Sequence, residues 1–179
     1  EFVAYYQPKV EIKTNRIVSF EALARWESNT KGLRAPGEFI PLFESNGFTK
    51  MLDIYIFRLV CERIKQQLAE GRPVVPIACN FSRLHLEADE FPDQVKAIVD
   101  EYEIPAHYLG LELTESIVMD NYERATIMCI RLKEHGFTVL IDDFGTGYSS
   151  LGTLQDLPVD VLKLDRSFLR DSEQINRTK

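Results

Sequence analysis

The sequence is poor in cysteine, and the few cysteines it has do not form a recognisable framework. Three occur among 179 residues. They lie far apart without a CxxC pair, at Cys61, Cys79 and Cys129. A zinc site or a set of disulfides is therefore not expected. The pattern predicts buried free thiols in a reducing compartment.

Basic blocks and long apolar runs are missing as well. The net charge is −7, and no stretch of five or six like positive charges occurs. This argues against a nucleic-acid polymer as a partner, because such binding depends on clustered lysine and arginine. A small phosphate ligand stays compatible, since a bound metal can reverse the sign of an acidic site. No apolar run approaches the ~20 residues of a membrane helix, and the first residues lack a signal-peptide pattern.

What is present is the composition of one globular domain that opens with a β-hairpin. Hydrophobic residues make up 45% and charged residues 27% of the chain, an ordinary balance. Residues 3–6 and 17–20 are β-prone, with Thr14, Asn15 and Arg16 as the turn between them. The two strands are predicted to be antiparallel.

Beyond the hairpin, helical and strand patterns alternate. Apolar residues recur at helical spacing over 54–68, 95–102 and 125–132, and Gly71 and Gly136 close the first and last of these helices. Short apolar runs at 74–79, 108–113, 138–141 and 161–164 predict strands. Parallel βα units, with six strands in all, follow from this alternation. A closed (β/α)8 barrel needs eight strands, so the pattern leaves open a barrel lacking its last part or an open α/β sheet.

Polar side chains follow the apolar part of five predicted strands. They are Glu21, Asn80, Glu112, the pair Asp142-Asp143, and Lys163. A single such residue is more often a helix cap or a solvated charge, but the carboxyl ends of parallel strands meet at one rim. Carboxylates buried together need a cation to offset their charge. Their oxygen atoms suit Mg²⁺ or Mn²⁺ rather than zinc.

The two adjacent aspartates carry a further expectation. Neighbouring residues of a strand point to opposite faces, so both reach one site only if Asp143 lies just beyond the strand end. In that position one carboxylate would bridge two metals while the other binds the second. The glycine-punctuated loop over 143–150 is interpreted as a segment that senses the site, with a plain turn as the alternative.

A set of motifs runs in order along the whole chain. The set comprises Tyr6-Gln7-Pro8, Glu21-Ala22-Leu23-Ala24-Arg25-Trp26, Phe39-Ile40-Pro41, Asn80-Phe81-Ser82, Leu111-Glu112-Leu113-Thr114-Glu115-Ser116, Asp142 through Leu151, and Lys163-Leu164-Asp165-Arg166-Ser167-Phe168. Taken together in this order, the motifs resemble those of the EAL family of cyclic di-GMP phosphodiesterases.

The resemblance implies the fold. It predicts an α/β protein, a TIM-like (β/α)8 barrel with an antiparallel first strand. Strands 7 and 8 of that barrel, with a Glu-Val-Glu-like and a Gln-Gly-Tyr-like motif, have no counterpart in this sequence. Residues 1–179 are therefore expected to be an incomplete EAL phosphodiesterase domain.

The resemblance also implies an activity and its residues. The expected reaction is metal-dependent hydrolysis of cyclic di-GMP to linear 5′-pGpG, with two Mg²⁺ or Mn²⁺ ions. Family metal ligands match Glu21, Asn80, Glu112 and Asp142 for one ion, and Asp142 and Asp143 for the other. The catalytic set matches Glu21, Lys163 beside the attacking water, and Glu115, which holds the loop after Asp143. Substrate contacts match Arg25 at a phosphate, and Gln7, Leu23 and Asp165 near the nucleotide.

Partners and location also rest on the resemblance. Cyclic di-GMP is the expected ligand, and a homodimer and a GGDEF or sensory domain elsewhere in the parent protein are expected partners. The expected location is the bacterial cytoplasm, including the cytoplasmic part of a membrane-anchored parent. The alternative function is a cyclic di-GMP receptor that does not cleave its ligand. A purely structural domain is disfavoured, because it would not need oxygen ligands on successive strands.

Overall fold

The computed structural model describes residues 1–145 and 157–166, which form one sheet with helices packed against it. The sheet has seven strands in the order β1-β2-β4-β5-β6-β7, with β3 paired to β2. The strands are β1 (Phe2–Glu11), β2 (Arg16–Ser28), β3 (Gly32–Arg34), β4 (Ile77–Asn80), β5 (Leu109–Thr114), β6 (Thr138–Phe144) and β7 (Val161–Leu164).

The predicted hairpin is confirmed, and its strands are longer than the β-prone runs alone indicated. β1 and β2 pair antiparallel from Phe2 opposite Trp26 to Glu11 opposite Arg16. Arg16 therefore belongs to β2 and not to the turn. Asn15 closes the turn at φ 55°, a left-handed conformation that asparagine tolerates better than most residues.

The rest of the main sheet is parallel, as the alternation of patterns predicted. β2 pairs with β4, β4 with β5, β5 with β6 and β6 with β7, all in parallel. Only β1 and the short β3 run antiparallel to β2 among the described strands. This is the mixed α/β arrangement expected for a barrel whose first strand is reversed.

The helices cover the sheet with the apolar faces that the sequence predicted. Phe57, Cys61 and Ile64 are fully buried, whereas Leu68, predicted on the same face, is 37% exposed near the helix end. Burying a side chain such as Phe57 stabilises the fold by about 1.5–3 kcal/mol. The helices are α1 (Ile40–Asn46), α2 (Thr49–Ala69), α3 (Phe91–Tyr102), α4 (Glu115–Asp120) and α5 (Tyr122–Glu134).

Three strand assignments are corrected. Residues 74–76 precede β4 rather than belonging to it, and the Pro76 carbonyl accepts a hydrogen bond of 2.9 Å from the Phe20 N–H. Because Pro76 precedes the strand, its missing N–H removes no hydrogen bond from within β4. Tyr108 ends a short 3-10 helix before β5. The three-residue β3 was not predicted, because so short a run shows no alternation.

The six predicted strands correspond to β1, β2, β4, β5, β6 and β7, and β3 is an additional strand. β7 is the last strand within the described residues. Residues 146–150 of the glycine-punctuated loop and the polar tail from Asp171 lie outside the described ranges. Among the described helices, none combines the length and the apolar character that crossing a membrane requires.

Candidate active site

Three carboxylates from three neighbouring regions of the sheet converge on one point. Glu21 on β2, Glu112 on β5 and Asp142 on β6 each offer one oxygen, and these oxygens lie within 4.8 Å of one another. Parallel pairing brings them together, since Asn80 lies opposite Glu112 and Thr114 opposite Asp142. The sequence prediction that these side chains share one rim therefore agrees with the structure.

Their position along the strands differs from the prediction. Glu21 lies in the middle of β2, which continues to Ser28, rather than at a strand end. Glu112 and Asp142 each lie two residues before the end of their strands. The cluster consequently lies slightly inside the sheet, which explains why the Glu112 residue is only 1% exposed.

Lys163 on β7 lies among the three carboxylates. Its Nζ donates to Glu21 Oε2 at 2.8 Å, to Glu112 Oε2 at 2.5 Å and to Asp142 Oδ2 at 2.6 Å. Burial alone would lower the pKa of Lys163, but the three carboxylates raise it overall. The lysine is therefore held as a cation at the place where the negative charges meet.

Lys9 on β1 is a second cation at this cluster, and the sequence analysis did not identify it. Its Nζ lies 2.5 Å from Glu112 Oε1 and 3.6 Å from Glu21 Oε2. The available signal was its spacing from Gln7. Residues two apart on a strand share a face, so Lys9 lies on the face of the predicted site residue Gln7.

Asn80 and Glu21 are joined directly at the rim. The Asn80 Nδ2 donates to Glu21 Oε1 at 3.0 Å, which orients the amide beside the cluster. Burial raises the pKa of Glu21, yet the hydrogen bonds from Lys163 and Asn80 outweigh burial and lower it overall. Glu21 is therefore ionised and ready to act as an oxygen ligand.

The aspartate pair reaches the rim by a route that the sequence did not predict. Asp143 lies within β6, not beyond its end, at an irregularity in the pairing with β7 between Ile141 and Phe144. Its φ is 55°, and its N–H donates to Asp142 Oδ1 at 2.8 Å. Such a bulge changes the direction of side chains that strict alternation would send to opposite faces.

The Asp143 carboxylate is exposed and is not one of the three converging groups. Burial, followed by the charges of Asp142 and Asp165, raises its pKa. Asp165 is therefore electrostatically close to the aspartate pair, and its N–H donates to the Phe144 carbonyl at 3.0 Å. Negative charge at this rim exceeds what the nearby lysines neutralise, as is typical of a cation site.

Glu115 connects the site to the segment that follows Asp143. It is buried at the start of α4, and its Oε2 accepts a hydrogen bond of 2.7 Å from the Gly145 N–H. This contact lies at the beginning of the loop after Asp143, which Glu115 is expected to hold according to the family resemblance. The remaining loop residues are outside the described ranges.

The predicted substrate residues lie around the cluster and not within it. Gln7 pairs with Glu21 across the hairpin. Leu23 lines a cavity of about 490 Å³ that Asn80 also borders. Arg25 donates from Nη1 to the Ala24 carbonyl at 2.8 Å and lies over the Tyr5 ring.

Trp26 packs against aromatic residues. Its ring stacks on Phe2 with centroids 5.7 Å apart and meets Phe39 edge-on at 6.2 Å. Its Nε1 donates to the Glu1 carboxylate at 3.0 Å.

The donor set fits a hard divalent cation. Three carboxylates and a neighbouring amide supply oxygen atoms, which Mg²⁺ and Mn²⁺ prefer, and no described cysteine or histidine belongs to the group. Two lysines, Lys9 and Lys163, form ion pairs with the three carboxylates and leave a net negative charge there. The arrangement can therefore gather positive charge at one point, which is what binding and polarising a phosphate requires.

Fold and site together define a class. The chain is an α/β protein with a candidate cation centre formed by side chains of neighbouring strands, close to the edge of the sheet where such proteins place their functional residues. The family model described as "EAL domain" matches residues 1–179. The chain belongs to the EAL domain family.

Proteins named as cyclic di-GMP phosphodiesterases are among the relatives of this chain. Cyclic di-GMP phosphodiesterase NbdA of Pseudomonas aeruginosa is 37% identical over 167 residues, which are 93% of this chain and 21% of that protein. Probable cyclic di-GMP phosphodiesterase PdeB of Escherichia coli K12 is 36% identical over 178 residues, which are 99% of this chain and 34% of that protein. The chain thus spans a minor part of the curated relatives it matches.

A solved structure matches closely in shape. The PaMucR phosphodiesterase in complex with c-di-GMP superposes with a TM-score of 0.88 at 34% identity, covering 96% of this chain and 70% of that chain. The predicted fold class, a TIM-like barrel arrangement with a reversed first strand, is confirmed by this likeness and by the observed sheet order.

Proposed function

We propose that this chain hydrolyses cyclic di-GMP to linear 5′-pGpG with the help of divalent cations. The observation that carries the proposal is the convergence of the Glu21, Glu112 and Asp142 oxygens within 4.8 Å around the Lys163 ammonium. The similarity to NbdA, a cyclic di-GMP phosphodiesterase, and to PdeB, a probable one, supports this reaction. Cyclic di-GMP is a dianion, so a cleavage site for it needs gathered positive charge.

The residues that would hold Mg²⁺ or Mn²⁺ are Glu21, Asn80, Glu112 and Asp142, with Asp142 and Asp143 for a second ion. Bound cations would offset the charge of the scissile phosphate and lower the pKa of water beside it. The Asp143 N–H donates to Asp142 Oδ1, and the other oxygen, Oδ2, accepts from Lys163 within the cluster. The Asp143 carboxylate lies next to that group on the exposed side.

The chain's own residues would supply the remaining functions. Lys163 is held as a cation and would stabilise negative charge that develops on the attacking oxygen. Glu115 would hold the segment after Asp143 through the Gly145 N–H. Arg25, Gln7, Leu23 and Asp165 are proposed to contact the nucleotide.

The test is hydrolysis by Glu21→Ala compared with a matched control, Glu27→Ala. Both residues lie on β2, but Glu27 is exposed and six positions away from the cluster. We expect Glu21→Ala to abolish pGpG formation while it keeps a cooperative thermal transition, and Glu27→Ala to behave as the unchanged chain. Normal hydrolysis by Glu21→Ala would refute the assignment of the cluster as the catalytic site.

The same assay also tests the alternative function, a receptor that binds cyclic di-GMP without cleaving it. The chain should be run beside a version extended at its C-terminus to the length of the solved relative, with binding of cyclic di-GMP measured in parallel. Nucleotide binding by both forms without product from either would replace the enzyme with a receptor. Product from the extended form alone would assign the activity to the longer domain.

The oligomeric state, further domains of the parent protein and its location are also proposed. We propose a homodimer, a GGDEF or sensory domain elsewhere in the parent protein, and a cytoplasm-facing location in a bacterium. Sedimentation analysis of the purified chain tests the first of these, and a monomer at all concentrations would refute it.

A further inference from the structure

The side chain of Glu112 is held by one lysine on each of its two oxygens. Its exposed fraction is 0%, and its Oε1 lies 2.5 Å from Lys9 Nζ while its Oε2 lies 2.5 Å from Lys163 Nζ. The two lysines come from opposite edges of the sheet, β1 and β7. A fully buried carboxylate is costly unless both oxygens have partners.

The two lysines differ in what else they touch. Lys163 contacts Glu112 Oε2 together with Glu21 Oε2 and Asp142 Oδ2, so we call Oε2 the inner oxygen of Glu112. Lys9 contacts the other oxygen of Glu112, Oε1, which we call the outer oxygen, and lies at the longer distance of 3.6 Å from Glu21 Oε2. A cation that enters the cluster would therefore compete with Lys163, whereas the bond from Lys9 to Oε1 can persist.

The backbone of β1 supports a specific placement of Lys9. The pairing of β1 with β2 changes register between Lys9 and Val10, directly after the lysine pairs with Ser19. Irregularities of this kind redirect side chains and are frequent beside functional sites. The Lys9 side chain is only 27% exposed, so it lies along the sheet rather than extending into solvent.

We infer that Lys9 is a positioning residue that fixes the outer oxygen of Glu112, so that the inner oxygen stays directed at Glu21 and Asp142 to receive a divalent cation. This inference rests on the proposed function, because it assigns Lys9 a role in preparing the same cluster. Partners that orient metal ligands in this way typically change metal affinity by about 10–100-fold when removed.

Charge alone predicts the opposite result, which makes the inference testable. Removing one positive charge near three carboxylates should strengthen cation binding if Lys9 acts only through its charge. Removing the bond that orients Glu112 should weaken it. The sign of the change in Mn²⁺ affinity therefore separates positioning from general electrostatics.

The experiment measures Mn²⁺ binding to the chain by electron paramagnetic resonance of the free ion, for Lys9→Met, Lys9→Arg and the control Lys13→Met. Lys13 is an exposed residue in the hairpin turn. We expect Lys9→Met to bind Mn²⁺ about tenfold or more weakly, Lys9→Arg to regain most of the affinity, and Lys13→Met to match the unchanged chain. In a Glu112→Gln background, Lys9→Met should cause no further loss.

Equal or tighter Mn²⁺ binding by Lys9→Met would overturn the inference while leaving the proposed function intact. Absence of Mn²⁺ binding by the unchanged chain would overturn both. If Lys9→Met shows no cooperative thermal transition, Lys9→Arg and Lys9→Gln take its place. Arginine should then bind Mn²⁺ about tenfold more tightly than glutamine, and equal affinities would overturn the inference.

Discussion

Replacing Lys163 by methionine should strengthen the binding of a divalent cation while it slows hydrolysis. The Lys163 ammonium donates to Glu21, Glu112 and Asp142 at 2.8, 2.5 and 2.6 Å. These are the three residues that would hold the cation. In the unchanged chain, a cation that binds there has to displace contacts that the lysine already makes.

The magnitude follows from those contacts. A hydrogen bond to a charged group contributes about 1.5–3 kcal/mol. The three contacts share one ammonium and are not additive, so we count the loss of one. Since about 1.4 kcal/mol corresponds to a factor of ten, Lys163→Met should bind Mn²⁺ on the order of tenfold more tightly. Methionine fills a similar volume without a charge, which limits the disturbance of the sheet.

Isothermal titration with Mn²⁺ measures the affinity, and chromatography of pGpG measures hydrolysis. Lys65→Met is the control, because Lys65 is half exposed and makes a single surface ion pair with Glu103 at 3.5 Å. Weaker or unchanged Mn²⁺ binding by Lys163→Met would refute the competition between lysine and cation. Tighter binding with normal hydrolysis would instead refute the catalytic role proposed for Lys163.

Three further predictions concern the folded state. Gly110→Ala should lower the free energy of unfolding by about 1–3 kcal/mol in urea denaturation, because its Cβ would lie 2.7 Å from Cδ1 of the buried Leu140 and 3.3 Å from the Ala78 Cα, a backbone atom of the neighbouring strand; an unchanged midpoint would contradict this packing. A thiol reagent should label the native chain very slowly, because burial raises the pKa of all three buried thiols; rapid labelling would contradict their burial. The pKa of Glu21 lies below its ordinary value of 4.5, so its charge contributes stability above about pH 4.5 that is lost as pH falls through the lowered pKa. Glu21→Gln should flatten the dependence of the unfolding free energy on pH between about pH 5 and pH 3, and an unchanged dependence would contradict the shift.

The elements that the sequence predicted best are those with a clear apolar pattern. The helix over 54–68 follows from the spacing of its apolar residues, and the strands at 108–113 and 138–141 follow from short apolar runs. Parallel pairing then places Glu112 and Asp142 near each other without any further information. The meeting of these residues with Glu21 was predictable for that reason.

Two features of the site could not be predicted from spacing. The bulge at Asp143 depends on how β6 and β7 pair. Without it, the alternation of side chains along a strand would place Asp143 on the face opposite to Asp142. Lys9 reaches Glu112 from β1, a separation of 103 residues along the chain. The spacing of residues indicates the face of the strand on which Lys9 lies, but not which residue its long side chain contacts. Only the three-dimensional arrangement shows the contact with Glu112.

The central claim is that the carboxylate cluster supports cation-dependent cleavage of cyclic di-GMP, and product analysis tests it most directly. The chain is incubated with cyclic di-GMP, with Mn²⁺ or with a chelator, and the products are separated by chromatography. The account predicts linear 5′-pGpG with Mn²⁺, none with the chelator, and none from Glu21→Ala. Equal product with and without the cation, or from Glu21→Ala, would contradict it.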